Sequence, residues 1–514
     1  MIPIHRRLDW FARCHPDAVA LTDAGGALDF RAAGQLVGRL AGAFVAAGLK
    51  PGDRVVVLSA NRREGLLGFL AAAASGVVWT PLNTRLAARE IAEIAADAEP
   101  ALVLADAAGA DIFDAVPGAV SCPRICLDGP RDGWVGLEDW LAASAGVPAP
   151  DLGWDPGHPL FQMYTSGTTG RPSGILISHG AWDAQLEQFF HTQPYRPGDG
   201  VLIVTPLFHI AATITSMAAL LAGARVELPP RFNVAEVFDL LVEGRVAGTM
   251  LVPAMIGQLL LEATARGVTR VEGVRRICYG ASPIPEGMLR EALALFGCEF
   301  VQGYGLTETA GIATTLNPSD HLSALAGRGE LLRSAGRPIM GVSVRIARPD
   351  GSIAAADEVG EVQISGPNLF LGYWRNPEKT RGAWTPDGWF RTGDAGRLDA
   401  DGYLYIVDRI KEMIISGGEN VFPQEVERVL AELPSVRECA VFGIPDAKWG
   451  EVVGAAIVTR PGHHFDEAAA RAHATARLAR FKCPSRYLLL DDFPRNATGK
   501  IVRKALTAAA GGGH

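Results

Sequence analysis

The stretch from Tyr164 to Gly174 has the composition of a phosphate-binding segment. It directly follows an apolar run and reads Tyr164-Thr165-Ser166-Gly167-Thr168-Thr169-Gly170-Arg171-Pro172-Ser173-Gly174. Small residues let backbone N–H groups approach an anion, and hydroxyl groups add further donors. The stretch contains neither the Walker A pattern of nucleoside triphosphatases nor the Gly-x-Ser-x-Gly pattern of hydrolases. Its composition therefore favours polyphosphate binding, and a plain surface loop is the alternative.

Further short segments that combine glycine, aromatic and charged residues follow along the chain. In order they are Pro206-Leu207-Phe208-His209, Tyr279-Gly280-Ala281-Ser282-Pro283, Gln302-Gly303-Tyr304-Gly305-Leu306-Thr307-Glu308-Thr309, Gly388-Trp389-Phe390-Arg391-Thr392-Gly393-Asp394, Asp408-Arg409-Ile410-Lys411-Glu412 and Asn496-Ala497-Thr498-Gly499-Lys500. Together with the first stretch, this ordered set resembles the signatures of the adenylate-forming superfamily. That superfamily comprises acyl- and aryl-CoA synthetases, luciferases and the adenylation domains of peptide synthetases. The resemblance covers nearly the whole chain.

The resemblance implies a ligase that works in two steps. A carboxylic acid first displaces pyrophosphate from ATP to give acyl-AMP, and a thiol, that of coenzyme A, then displaces AMP. ATP and coenzyme A are the implied co-substrates, and Mg²⁺ is the implied cofactor. Because the first step brings a carboxylate to a triphosphate, the site must neutralise negative charge.

The resemblance also assigns nucleotide contacts to individual residues. Glu308 corresponds to the Mg²⁺ ligand, a hard oxygen donor for a hard cation, and Thr307 adds a hydroxyl to the phosphate site. Tyr304 is expected to stack on adenine, Asp394 to accept both ribose hydroxyls, and Arg409 to reach the ribose and phosphates. The alternatives are structural: a loop carboxylate, a core tyrosine, a turn aspartate and a surface ion pair. The other expected ATP and AMP contacts are Thr165, Ser166, Gly167, Thr168, Thr169, Gly170, Gly280, Ala281, Ser282 and Gly305.

The resemblance implies that residues near the C-terminus take part in a domain rotation between the two half-reactions. Lys500 corresponds to the lysine that enters the site during adenylation, where its ammonium offsets the charge of the carboxylate and the α-phosphate. Lys411 corresponds to the hinge between two domain orientations. Gly417 and Gly418 would line a tunnel for the pantetheine arm of coenzyme A. A solvated lysine and a simple glycine turn are the alternatives.

One position departs from the superfamily pattern. The phosphate segment usually has lysine just before its last glycine, and Ser173 occupies that position here. A fixed cation is therefore missing beside the phosphates, and the nearby Arg171 is a candidate to supply charge. We expect a lysine at position 173 to change ATP affinity modestly and to leave the product unchanged.

The acyl pocket is expected to be apolar. Its implied lining residues are aromatic, small or aliphatic, with one histidine: Phe208, His209, Ile210, Ala211, Ala212, Ala310, Gly311 and Ile312. Amino-acid-activating relatives have aspartate after phenylalanine in this segment. Since His209 stands there, an α-amino group has no evident partner, and a fatty acyl or aromatic acid is favoured. A core histidine is the alternative for His209.

Periodicity predicts the elements that position these residues. Strands alternate with helices in the first third of the chain, which favours α/β layers with parallel pairing. The predicted strands are 53–58, 77–82 and 101–104, and the predicted helices are 62–75 and 86–96. Short strands at 360–365 and 403–408 indicate a small β-rich subdomain. A compact α+β pattern follows as helix 423–432, strands 436–443 and 452–459, helix 466–480 and strand 486–490.

These patterns and the resemblance give one expected architecture. The fold class is α/β, with a large multi-subdomain N-terminal domain that contains two α/β sheet layers and the β-rich subdomain. A small, mobile α+β domain follows it. The expected bounds are 1–408 for the AMP-binding N-terminal domain, 409–411 for the hinge, 412–507 for the C-terminal domain and 508–514 for a disordered tail.

Composition excludes several classes of protein. The chain has 514 residues and a net charge of −8, without a basic stripe that would indicate nucleic acid binding. We expect no secretory signal and no transmembrane segment, and the seven scattered cysteines indicate reduced thiols in the cytoplasm. The expected partners are therefore small molecules: a carboxylic acid, ATP and coenzyme A. Whether the protein forms a homodimer is left open.

Other hypotheses share these motifs. The chain could load a carrier protein in trans instead of coenzyme A. It could also be a degenerate member that binds nucleotide or acyl ligands without turnover, and Ser173 gives that hypothesis its weight. A luciferase-like oxygenase is the least favoured because it needs a special luciferin.

Overall fold

The chain forms two compact units in a computed structural model. The first comprises Met1–Val344 and Ile364–Phe390, and the second comprises Arg345–Gln363 and Arg391–His514. The structure describes residues 3–115, 121–150, 155–165, 173–280, 282–416, 419–446, 449–495 and 501–511.

The helices and strands alternate through most of the first unit. Up to residue 192 they are α1 Ile4–Cys14, β1 Val19–Asp23, β2 Gly26–Asp29, α2 Phe30–Ala46, β3 Arg54–Leu58, α3 Arg63–Ser75, β4 Val78–Pro81, α4 Ala88–Ala98, β5 Pro100–Ala105, α5 Ala107–Asp114, β6 Arg124–Cys126, β7 Val135–Gly136, α6 Leu137–Ala143, β8 Pro159–Thr165, β9 Ser173–Ser178 and α7 His179–Thr192. From there to residue 338 they are β10 Gly200–Ile203, α8 Ile210–Leu221, β11 Arg225–Glu227, α9 Val234–Val242, β12 Gly248–Leu251, α10 Pro253–Arg266, β13 Arg276–Gly280, α11 Glu286–Phe296, β14 Glu299–Tyr304, β15 Thr314–Leu316, α12 Pro318–Leu325 and β16 Arg337–Pro338.

The remaining elements are shorter on average and richer in strands. They are β17 Ser343–Ala347, β18 Gly360–Ser365, β19 Gly372–Tyr373, α13 Pro377–Gly382, β20 Phe390–Leu398, β21 Leu404–Arg409, β22 Ile414–Ser416, β23 Glu419–Val421, α14 Pro423–Ala431, β24 Val436–Asp446, β25 Gly450–Thr459, α15 Glu467–Thr475, β26 Arg486–Leu489 and α16 Arg503–Gly511. Short 3₁₀ turns occur at Thr307–Thr309, Gly329–Arg333, Ile410–Glu412 and Arg480–Lys482.

Two large sheets form the first unit. One has nine strands in the order β16-β15-β14-β13-β12-β10-β11-β1-β2, and the other has eight in the order β19-β9-β8-β4-β3-β5-β6-β7. The central strands of both pair in parallel, whereas β8 and β9, and β14 and β15, pair antiparallel. In open parallel sheets, ligands bind beyond the carboxyl ends of the strands. The ends of β13 and β14, at Gly280 and Tyr304, are therefore where a site is expected.

Burial on both faces explains why these strands are continuous apolar runs in the sequence. Residues 55–58 of β3 and all of β10 are buried, as parallel strands covered by helices on both sides should be. Aromatic packing joins the sheet to its helices, since the ring centroid of Phe161 in β8 lies 5.6 Å from that of Phe69 in α3 and 5.5 Å from that of Trp182 in α7. The side chain of Asp29 caps α2 by accepting a hydrogen bond from the backbone N–H of Ala32 at 2.7 Å.

The second unit contains two sheets of its own. Strands β17, β18, β20 and β21 form a four-stranded sheet, and β22 to β26 form a five-stranded sheet centred on β25. Helices α14 and α15 cover one apolar cluster on the latter sheet, which includes Val426, Leu430, Val453 and Ile457. Helix α16 covers a second cluster with Leu506 and Ala510.

The predicted fold class is confirmed, and the predicted bounds of two segments are corrected. Helix α15 ends at Thr475 rather than 480, because the chain turns so that Leu478 packs against the cluster containing Phe465. The tail expected from residue 508 is helical up to Gly511, because Leu506 and Ala510, four residues apart, both pack on the sheet. Residues 512–514 lie outside the described residues. The predicted domain bounds at 408 and 412 stay predictions.

Within the described part of the chain, no helix combines the length and the apolar character that crossing a bilayer requires.

We predict that the packing of α3 on β4 has no room for one more carbon atom. A Cβ at Gly68 would lie 2.3 Å from the Trp79 ring, whereas a Cβ at the exposed Gly38 of α2 would meet no atom within 4 Å. Gly68→Ala should destabilise the protein by about 1–3 kcal/mol, and Gly38→Ala should stabilise it by about 0.5–1 kcal/mol. The apparent melting temperatures of the two purified variants measure this. An equal shift for both variants would contradict the packing described.

Candidate active site

The two residues that flank the centre of the predicted phosphate segment are held by strand pairing. Thr165 ends β8 and Ser173 begins β9, and the two face each other across this antiparallel pair. Behind them, Tyr164 donates a hydrogen bond to Asp97 Oδ2 at 2.6 Å. Residues 166–172, which include five of the predicted contacts and Arg171, lie outside the described residues.

The ends of β13 and β14 meet where the predicted adenine contacts lie. Gly280 pairs with Gly303, next to Tyr304, the last residue of β14. A Cβ at Gly280 would lie 2.8 Å from the Gly303 carbonyl oxygen, and a Cβ at Gly303 would lie 2.7 Å from Ile312 Cγ2. Glycine is therefore needed at both positions for this close approach. Tyr304 is half-buried and Ser282 is exposed, while Ala281 lies outside the described residues.

A tight loop after β14 carries Thr307 and Glu308. A Cβ at Gly305 would lie 1.9 Å from the Gly311 carbonyl oxygen, so the two ends of the loop touch through their backbones. Thr309 reinforces it, since its hydroxyl accepts from the Leu306 N–H and donates to the Gly311 carbonyl, each at 2.9 Å. The chain leaves the 3₁₀ turn through Ala310, whose φ of 52° is unusual for a residue with a side chain.

Tyr373, in edge strand β19, holds the side chain of Glu308. Its hydroxyl donates to Glu308 Oε1 at 2.9 Å, and the backbone N–H of Phe370 donates to the Glu308 carbonyl at 2.9 Å. Strand β19 pairs with β9, where Tyr373 faces Ile175, two residues after Ser173. The structure thus brings the predicted metal ligand to the sheet edge that carries one end of the phosphate segment.

Thr307 contacts β8, which is the neighbour of β9 in the eight-stranded sheet. Its hydroxyl lies 3.7 Å from the Met163 sulfur atom in β8. Because Thr165 is two residues further along β8, Thr307, Glu308 and the two ends of the phosphate segment form one cluster in the first unit.

The predicted acyl-pocket residues fall in two segments. Phe208 is buried and His209 is exposed at the start of α8, with their ring centroids 4.7 Å apart. Ala211 is half-buried in the first turn of α8. Ala310, which is fully buried, and Gly311 belong to the loop that carries Glu308. Their joint contact with an acyl group stays a prediction.

In the second unit, the two residues expected at the ribose pair with each other. Asp394 in β20 and Arg409 in β21 are register partners, and Arg409 Nε lies 2.8 Å from Asp394 Oδ1. Only 3% of Asp394 is exposed, whereas the Arg409 side chain is 45% exposed. The contact of Arg409 with the ribose and phosphates stays a prediction. Binding of a ribose by Asp394 stays a prediction.

The residue before the predicted hinge is a buried carboxylate. Asp408 accepts hydrogen bonds from the backbone N–H groups of Arg409 at 2.7 Å and Gln424 at 2.9 Å. Burial raises its pKa to about 6 despite these bonds. The contact ties β21 to the first turn of α14.

An arginine fixes the residue after the predicted hinge. Arg503 of α16 donates to Glu412 Oε2 at 2.6 Å and to Glu427 Oε1 at 2.8 Å. Lys411 itself lies in the 3₁₀ turn Ile410–Glu412. The hinge role of Lys411 stays a prediction.

Besides Ala281 and the centre of the phosphate segment, three more predicted residues lie outside the described part of the chain: Lys500, Gly417 and Gly418. The residues on either side of the two glycines are ordered by strand pairing, since Ser416 of β22 pairs with Glu419 of β23. The tunnel and the entry of Lys500 into the site stay predictions.

Several supporting residues were missed by the sequence analysis. Asn61 donates to the Thr205 carbonyl at 3.1 Å and accepts from the Leu207 N–H at 2.9 Å, which holds the segment before Phe208. The buried Asn368 donates to the Thr309 carbonyl at 2.8 Å and so holds the loop of Glu308. These bonds span long stretches of chain, and no local sequence pattern signals them.

A cavity of about 590 Å³ in the first unit is not the candidate site. Its lining includes Tyr195, Gly248, Arg276 and Glu299. The last three of these begin β12, β13 and β14, so the cavity lies at the amino ends of the strands. Gly280 and Tyr304, two of the predicted nucleotide contacts, lie at the carboxyl ends of β13 and β14, where ligands of parallel sheets bind.

Comparison with protein families explains why these residues cluster. The AMP-binding enzyme profile matches residues 8–374, and the profile of the AMP-binding enzyme C-terminal domain matches residues 425–500. The chain belongs to the AMP-binding enzyme family. Within this family it is an acyl-CoA ligase that forms acyl-AMP.

Known members of the AMP-binding enzyme family align with almost the full length of this chain. It is 38% identical over 475 residues to the long-chain-fatty-acid–CoA ligase FadD13 of Mycobacterium tuberculosis, covering 92% of this chain and 91% of that protein. It is 35% identical over 499 residues to the fatty acid–[acyl-carrier-protein] ligase ScoC of Streptomyces coeruleorubidus, covering 96% and 94%.

A solved structure of a family member shows the same fold. The o-succinylbenzoate CoA synthetase of Bacillus subtilis, in complex with its acyl-adenylate intermediate, superposes with a TM-score of 0.84 at 29% identity. The match covers 98% of this chain and 98% of that chain.

Proposed function

We propose that this ligase joins an apolar carboxylic acid, a fatty acid or an aromatic acid, to coenzyme A through an acyl-AMP. The cluster formed by Thr165, Ser173, Thr307 and Glu308 supports the ATP-binding part of the proposal. The acid contributes a carboxylate oxygen to the α-phosphorus of ATP, and pyrophosphate leaves. The thiol of coenzyme A then attacks the acyl carbon, and AMP leaves with the electron pair of the broken bond.

Glu308 supports Mg²⁺ as the cofactor. Among the described residues, no three His, Cys, Asp or Glu side chains gather into a metal cage. Mg²⁺ in nucleotide enzymes is commonly held by one or two carboxylates together with substrate phosphates. A single carboxylate, oriented by Tyr373, fits that requirement. The ion would screen the phosphate charge while Thr307 and the phosphate segment donate hydrogen bonds.

The residues around the expected acyl pocket support an apolar acid. Phe208 and Ala310 are buried, and His209 follows Phe208 where amino-acid-activating relatives have aspartate. A charged α-amino group would therefore lack a carboxylate partner at this position. The relatives described above act on fatty acids and on o-succinylbenzoate, as their names state.

Free thiols support a reducing compartment. All seven cysteines are free, including the buried Cys126, Cys278 and Cys298. Disulfides are rare in the cytoplasm, so we propose that the enzyme works there.

Transfer to a carrier protein is the second candidate function, and the likeness to ScoC favours it. An assay of purified protein with ATP, Mg²⁺ and a panel of straight-chain and aromatic acids separates the two. We expect AMP and a coenzyme A thioester to appear with at least one apolar acid. Thioester on a phosphopantetheinylated carrier protein but never on free coenzyme A would overturn the coenzyme A proposal. Pyrophosphate release with amino acids alone would overturn the apolar acid.

We predict that Tyr373→Phe weakens the use of Mg²⁺. The variant keeps the ring but removes the donor to Glu308, and loss of such a supporting bond typically costs about tenfold or more in metal affinity. The Mg²⁺ concentration needed for half-maximal ATP binding, measured by calorimetry, should rise accordingly. Tyr195→Phe is the control, because its hydroxyl donates to Gln193 at the remote cavity. An unchanged Mg²⁺ requirement would show that Tyr373 does not position Glu308.

We predict that Lys500→Ala separates the two half-reactions. Removing a charge that acts in the adenylation transition state should slow acyl-AMP formation by about 10²–10³-fold. The variant should still convert supplied acyl-AMP and coenzyme A to thioester. Lys504→Ala, at an exposed position on α16, is the control. If both half-reactions fall equally, the proposed role of Lys500 is wrong.

A further inference from the structure

A lysine from a distant part of the chain contacts the position where the superfamily lysine is missing. Lys379 lies in α13, and its ammonium donates a hydrogen bond to the Ser173 hydroxyl at 2.9 Å. Ser173 is half-buried at the first position of β9. A positive charge is therefore present beside the side chain of residue 173 although that residue is neutral.

The backbone around Lys379 places it there. The side chain of Asn376 caps α13 by accepting from the Lys379 N–H at 2.9 Å. The hydroxyl of Thr380 accepts from the Tyr373 N–H at 2.9 Å, which fastens α13 to β19. Since β19 is paired with β9, the short helix stands beside the beginning of β9.

Tyr373 links this lysine to the expected metal ligand. The Lys379 ammonium lies 3.8 Å from the centroid of the Tyr373 ring, a cation–π contact, and the hydroxyl of the same ring donates to Glu308. Contacts therefore connect Lys379 to Tyr373 and Tyr373 to Glu308, beside Ser173. Each belongs to the first unit.

A lysine at position 173 and the ammonium of Lys379 would compete for the same space. The Lys379 ammonium lies 2.9 Å from the Ser173 hydroxyl oxygen, which is the first side-chain atom beyond Cβ. A lysine side chain at position 173 would therefore bring a second ammonium close to that of Lys379. Like charges at that distance repel each other. The two positions are therefore alternative sources for one cation.

We propose that Lys379 is the ATP-binding residue that supplies, from α13, the positive charge missing at position 173 of the phosphate segment. The proposal rests on the proposed function, because it assigns Lys379 to the phosphates of the ATP used there. An ammonium beside the segment neutralises phosphate charge through charge-assisted hydrogen bonds. It also explains how a member of this family works with Ser173.

The test compares purified full-length variants in acid-dependent pyrophosphate release. Lys379→Met should raise KM for ATP about tenfold or more, since a hydrogen bond to a charged group is lost. KM for the acid should stay near that of the wild type. Lys379→Arg, which keeps the charge, should stay close to the wild type, and Arg381→Met is the control for charge loss from the exposed face of the same helix.

Moving the positive charge from position 379 to position 173 gives a more specific test. Ser173→Lys alone should change KM for ATP less than Lys379→Met does, because Lys379 already supplies a cation beside position 173. In the Lys379→Met background, Ser173→Lys should restore most of the lost ATP affinity. Lys379→Gln replaces Lys379→Met in this cycle if the latter lowers the melting temperature. A role limited to packing would not produce rescue by a charge at another position.

Three outcomes overturn the proposal: an unchanged KM for ATP in Lys379→Met, an equal rise in Arg381→Met, or a folded double variant without rescue. Wild-type enzyme that releases pyrophosphate with an acid but never forms thioester contradicts only the function proposed above. Pyrophosphate release measures ATP use in the first half-reaction. The Lys379 and Ser173 variants can therefore still be compared in that case.

Discussion

Repulsion between a carboxylate and a triphosphate is the constraint on which this structure depends. The two anions must come within bonding distance, so cations and hydrogen-bond donors have to be fixed in advance where charge concentrates. The edge of the eight-stranded sheet, where we propose that ATP binds, fits that demand. Thr165 and Ser173 end one strand and begin the next, and Tyr373 on the neighbouring edge strand orients Glu308. Backbone pairing, which cannot shift without breaking the sheet, thus sets the spacing of the charged groups.

The loop after β14 shows how far backbone contact governs the chemistry. Gly305 and Gly311 touch so closely that no side chain fits between them, and Ala310 adopts a left-handed conformation to complete the loop. Thr309 and the distant Asn368 satisfy the polar groups that this loop would otherwise leave buried without partners. A carboxylate on a loosely held loop would lose its position to thermal motion. Here the backbone contact and these hydrogen bonds hold the loop that carries Glu308.

Much of this was visible in the sequence for identifiable reasons. The predicted strands and helices between residues 53 and 104 lie within two residues of the observed ones, because strands buried on both faces are continuous apolar runs. Helix α15 was predicted too long since its alanine-rich run favours a helix to 480, whereas the packing of Leu478 ends it. The motif residues were predicted because each lies in a short continuous segment that resembles a signature of the superfamily. Asn61, Asn368, Tyr373 and Lys379 were missed because their partners are far away in the chain.

The location of the cation also matters for a ligase with two half-reactions. The resemblance implies that Lys500 enters the site for adenylation and leaves for thioester formation. A lysine on α13 belongs to the same compact unit as Ser173 and Glu308, so its place beside them does not depend on that motion. On these proposed assignments, ATP is bound by a charge that is always present, while Lys500 contributes only in the adenylation transition state. Binding and catalysis are separated when one cation is fixed and the other moves, and a neutral residue at position 173 is compatible with that division.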